Sequence, residues 1–103
     1  MTDAQLPARP AALLLDERDT AAVALVPLKA GTEVEIRRVG GIVKVVTEGL
    51  IPFGHKVAVA PMATGAPVVK YGEVIGFATT DIRPGQHVHV HNVRSDRAKL
   101  NDV

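Results

Sequence analysis

One phrase occurs three times in this chain of 103 residues and limits what the chain can fold into. "VPLKAGTEV" (26–34), "APMATGAPV" (60–68) and "TDIRPGQHV" (80–88) each carry an apolar third residue, glycine at the sixth position and valine at the ninth. The pattern reads as a strand end, a tight turn whose glycine takes positive φ, and a new strand. Gly31, Gly65 and Gly85 are the turn glycines. The spacing between copies is unequal, so this is a recurring turn device and not a solenoid.

Short strands fill the space between these turns. Residues 11–15 read as a first strand, ended by the charged "DERDT". Residues 21–28 form a second, and because alanine fills its polar slots it is expected to be buried on both faces. In 32–39, Val34 and Ile36 alternate with Glu33, Glu35 and Arg37, as in a half-exposed strand. Gly40 and Gly41 mark a hairpin turn, with 42–48 as the returning strand and Arg37, Arg38 and Lys44 as a solvated tip. "IPFGHK" (51–56) then interrupts the pattern with Pro52 and Gly54, and Gly72 and Gly76 punctuate further short strands. The one helical turn suggested by the sequence is "SDRAKLND" (95–102).

A single domain fits this length, and 47% apolar against 3% aromatic residues makes its core aliphatic. The expected class is all-β: a small barrel-like domain at 11–95, after a flexible leader at 1–10 and before a tail at 96–103. The chain has no cysteine, which removes disulfides and thiolate metal sites and suits a reducing compartment. A formal charge of +1 is unlike the clustered basic face of a nucleic-acid binder. No apolar run approaches the ~20 residues of a membrane helix. The chain reads as soluble and cytoplasmic, with neither nucleic acid nor membrane as partner.

Chemistry concentrates in "GQHVHVHNV" (85–93). His87, His89 and His91 at alternate positions of one strand share a face, roughly 6.5–7 Å apart for each pair. Two such imidazoles can lean together on one metal, and His55, just after Gly54, is the candidate third donor. The expected ligand set is His55, His89 and His91, and the same three are the candidate catalytic residues. The plainer alternative is an outward polar face, with Val88 and Val90 turned to the core. Lys56, Lys70 and Tyr71 are candidate substrate contacts. Lys70 and Tyr71 can line one site only if Gly72 bends the chain between them.

Four motifs in order, "GHK" (54–56), "KYG" (70–72), "IGFA" (75–78) and "HVHN" (89–92), resemble the SAF-type domain of altronate and galactarate dehydratases. The resemblance covers residues 11–95. That domain lies at the N-terminus of those enzymes and is a separate small subunit in relatives such as sulfolactate sulfo-lyase. The "HVHN" ending is similar to the altronate and sulfolactate branches, and galactarate dehydratases lack it. The resemblance implies a β-clip fold and a divalent metal, iron or manganese. It further implies a lyase that removes a β-substituent from a sugar acid together with a large catalytic subunit, on which the tail at 94–100 is expected to dock. Sulfolactate cleavage is the rival within that class. A non-catalytic module that binds carbohydrate or docks proteins is the rival outside it, and it would leave the histidines exposed and apart.

Overall fold

A computed structural model of the chain describes residues 11–95, so the expected leader, tail and C-terminal helical turn lie outside the described residues. Among those residues there are nine short strands and no helix. They are β1 (Ala12–Leu13), β2 (Ala21–Ala24), β3 (Glu33–Arg38), β4 (Gly41–Val46), β5 (Lys56–Ala58), β6 (Pro67–Lys70), β7 (Glu73–Ala78), β8 (His87–Val88) and β9 (Val93–Ser95). The all-β expectation holds. A central antiparallel sheet runs β1-β2-β5-β8, flanked by the β3-β4 hairpin and by a sheet of order β6-β7-β9.

The three turn glycines take φ of 79°, 89° and 94° at Gly31, Gly65 and Gly85, as their phrase requires. The structure adds a fourth copy that the sequence reading does not align: "GLIPFGHKV" (49–57), with Ile51 third, Gly54 sixth at φ 83° and Val57 ninth. The four copies associate in pairs. Leu28 bridges Ile51 and Met62 bridges Ile82, each exchanging two backbone hydrogen bonds. The glycine N–H of each copy then donates to a carbonyl four residues before its partner's bridging residue. These bonds run from Gly31 to Thr47, Gly54 to Ala24, Gly65 to Ala78 and Gly85 to Ala58, at 2.8 Å each. The molecule is therefore built from two similar clasps.

The central sheet lies between the clasps, and its small residues let both faces be covered. Ala22, Ala24 and Val57 join Leu28, Val34, Ile36 and Ile51 in one apolar cluster. Ala21, Ala58 and Val88 join Met62, Val68 and Ile82 in the other. Alanine in β2 thus serves burial on both sides, as expected.

Three expectations need correction. The first two strands are shorter than the apolar runs that suggested them: β1 spans two residues, and β2 ends at Ala24, before Pro27, which has no N–H to donate. The first hairpin turn sits one residue earlier than Gly40–Gly41, because Arg38 pairs with Gly41 and leaves Val39 and Gly40 as the loop. The histidine strand is also cut short. Its ladder stops at Val88, and residues 90–92 form a turn, so Val90 is 81% exposed and does not face the core.

Candidate functional site

His55 is the seventh residue of the fourth copy, where the turn has just closed. Its N–H donates to the Pro52 carbonyl at 3.0 Å, and its own carbonyl accepts from Ala24 at 2.8 Å, so its backbone is fixed to the central sheet. In the next strand pair, Lys56 faces Val88 and Val57 faces His87. One more step in that register sets His89 across from His55, and directly opposed residues share a face. The His55 and His89 rings accordingly stack at 4.1 Å between centroids.

His87 completes the group. Its Nε2 lies 2.9 Å from Nδ1 of His55, a hydrogen bond in which one ring donates and the other accepts. The three rings are close to parallel, with 11–20° between planes. One ring nitrogen from each of His55, His87 and His89 lies within 4.8 Å of the others. His91 sits on the turn and touches this group at its edge, its ring 5.1 Å from His87 and tilted by 37°. The structure therefore brings together His55, His87 and His89, and leaves His91 beside them. All three rings are half-buried, unlike the separated, exposed histidines expected of an inert module.

The electrostatics favour the neutral forms of His87 and His89. Burial lowers the pKa of His87, and the neighbouring His91, His55, His89 and Lys56 lower it further. Burial and then His55, Lys56 and His91 act on His89 in the same direction. A neutral imidazole is the form that accepts a proton or binds a metal. Three imidazole nitrogen donors without thiolate fit a first-row divalent cation, so the residues present are compatible with the metal the resemblance implies.

Asn92 explains why these rings are presented. It is buried at 5% exposure, accepts the His89 N–H on Oδ1 at 2.9 Å and donates from Nδ2 to the His87 carbonyl at 2.8 Å. The side chain thus ties the His87 carbonyl to the His89 N–H across Val88, where the chain leaves β8 for the turn. Asn92→Ala is expected to cost about 1–3 kcal/mol, because it leaves two half-buried backbone groups without their partner. Urea unfolding checks the cost. Histidine ring NMR signals unchanged by the substitution would show that Asn92 does not position them.

Lys56 is half-buried beside the cluster, and its pKa is lowered by burial and by the like charge of Lys70. It opens on a pocket of about 180 Å³ shared with His89 and the apolar Ile75, Val88, Val90 and Val93. Lys70 and Tyr71 lie at the tip of the β6-β7 hairpin, where Lys70 pairs with Glu73. The bend they needed is present: Tyr71 and Gly72 take φ of 56° and 75°, and the Lys70 ammonium sits 4.4 Å over the Tyr71 ring. Tyr71 is the one non-glycine residue with positive φ among the described residues. This is a backbone state that costs a bulky side chain about 1–2 kcal/mol. Two features of the site are absent from the sequence reading, the membership of His87 in the close trio and the clamp at Asn92. The fourth phrase, which ends in "GHKV", was the available signal for the first.

Residues 10–96 match the family described as altronate/galactarate dehydratase SAF domain. The chain belongs to that family. The SAF domain is 43% identical over 82 residues to altronate dehydratase of Escherichia coli (strain K12), covering 80% of this chain and 16% of that protein. It is 49% identical over 47 residues to the (2R)-sulfolactate sulfo-lyase subunit alpha of Chromohalobacter salexigens, covering 46% of this chain and 50% of the relative. The subunit alpha of Paracoccus pantotrophus is 47% identical over 47 residues, with 70% of it covered. The SAF domain therefore spans about a sixth of the first of these relatives and half of the second. Among the described residues no helix is long and apolar enough to cross a membrane.

Proposed function

We propose that this SAF domain is the small component of a two-component lyase that dehydrates a sugar acid of the altronate type in the cytoplasm. The convergence of half-buried imidazoles beside Lys56 carries this reading. The identity to altronate dehydratase supports the reaction class, and the relatives named as subunit alpha of a sulfo-lyase support a separate large polypeptide.

Elimination beside a carboxylate removes the α-proton, spreads charge over the carboxylate, and expels the β-hydroxyl as water. A bound divalent metal, iron or manganese by family resemblance, supplies Lewis-acid stabilisation of that charge. The chain's own groups do the rest of its share. The imidazoles of His55, His87, His89 and His91 provide the groups that hold the metal or move protons, and Lys56 offers an ammonium to a substrate carboxylate. Lys70 and Tyr71 at the hairpin tip reach toward the same substrate. Docking of the large polypeptide over this face excludes water.

Sulfolactate cleavage is the second reading, favoured by 47–49% identity to two proteins named as alpha subunits of that lyase. The deciding experiment purifies the chain with the large polypeptide that accompanies it in its native host. Altronate and (2R)-sulfolactate are then offered to the pair. Appearance of a 2-keto-3-deoxy acid supports the first reading, and release of sulfite supports the second. A chain that purifies without any large partner and turns over neither substrate overturns both.

A further inference from the structure

The four imidazoles are not equivalent, and their differences assign roles. His55 Nδ1 and His87 Nε2 are 2.9 Å apart. Two nitrogens bound to one metal at about 2.0–2.1 Å stand roughly 3.0–3.4 Å apart, so this pair is already at chelating separation. The hydrogen they share can move to an outer ring nitrogen by tautomerisation, which leaves both facing nitrogens as donors. His89 stacks on His55 from across the sheet, its donor within 4.8 Å of the other two, and rotation of the stacked rings brings their in-plane lone pairs onto one ion. His91 lies on the exposed turn, tilted against His87 alone.

We infer that His55, His87 and His89 form a three-imidazole site for a first-row divalent cation, held by this chain without its partner, and that His91 stands outside the ligand set. Three protein donors leave a coordination position for water or a substrate oxygen, the pattern of catalytic centres. The donors come from β8 and from the residues just before β5 and just after β8. Asn92 holds the backbone on both sides of Val88, so two of the three ligands share one clamp.

This inference deepens the proposed function by naming which imidazoles bind metal, but its test involves neither partner nor turnover. The purified 103-residue chain is titrated with Co²⁺, read by its visible absorption, and with Zn²⁺, read by calorimetry. The histidine ring NMR signals are followed in the unsubstituted protein. One metal per chain is expected, with the ring signals of His55, His87 and His89 shifting together. His55→Asn, His87→Asn and His89→Asn should each weaken Co²⁺ binding at least about tenfold, since even changes to the groups behind metal ligands cost that much. His91→Asn should stay within about twofold of the unsubstituted chain. The inference is overturned if the unsubstituted chain takes up no stoichiometric metal. It also fails if His87→Asn binds as the unsubstituted chain does, or if His91→Asn loses binding as the others do. Where a variant does not fold, the ring signals of the unsubstituted chain still decide which histidines bind.

Discussion

Replacing Gly85 with alanine is expected to remove most of the domain's stability, whereas the same change at Gly31 or Gly65 is expected to cost about 1–2 kcal/mol. All three glycines hold positive φ at the same position of the same phrase, so the intrinsic cost of a Cβ there is shared. Their surroundings differ. A Cβ at Gly31 or Gly65 meets nothing within 4 Å, while one at Gly85 runs into the carbonyl oxygen of Val46. Neither side can give way. The Gly85 N–H is bonded to Ala58 and its carbonyl accepts from Glu48. The adjacent Arg83 is held to Glu48 by two contacts of 2.7 and 3.0 Å. The clash adds to the backbone strain, for a total of more than about 3 kcal/mol in a domain small enough to have little more than ~5 to lose. Urea denaturation of the three variants gives the comparison. A Gly85→Ala midpoint equal to that of Gly65→Ala would mean that the end of β4 yields, and the tight crossing there would be wrong.

That contrast also shows where the sequence was informative. The phrase foretold the sign of φ at Gly31, Gly65 and Gly85 because a glycine between two strand-like stretches has a local cause. Alternation located the buried Val34 and Ile36 of β3 for the same reason. The tightness at Gly85 is not local: it depends on the end of β4 crossing there, some forty positions back along the chain. The same holds for the end of β8. "HVHVHNV" alternates without a break, and only the capture of the His87 carbonyl and His89 N–H by Asn92 shows that the strand stops. The stop sends Val90 to solvent and moves His91 off the common face, so His87 takes the place beside His55 that alternation alone left open among three. Of the four motifs behind the family resemblance, "GHK" and "HVHN" contribute to the cluster.

In the lyase reconstituted with its large partner, His55→Ala is expected to lower turnover by roughly a hundredfold or more, the range for a lost proton-transfer or metal-holding group. Within the cluster His55 is hydrogen-bonded to His87 and stacked on both His87 and His89. Its removal therefore disturbs the cluster whether the ring moves a proton or holds a cation. The fold has little reason to fail, because His55 ties to the sheet through its backbone N–H and carbonyl, which alanine keeps. The loss of one half-exposed hydrogen bond costs about 1 kcal/mol. Lys44→Ala is the matched control: that side chain pairs with Glu35 at 3.7 Å on the exposed face of the β3-β4 hairpin, and turnover should not change. Turnover rates are compared in preparations that retain the large partner and unfold at similar urea concentrations. Turnover of His55→Ala within about twofold of the unsubstituted lyase would mean that the imidazole cluster is not where this chain takes part in the reaction.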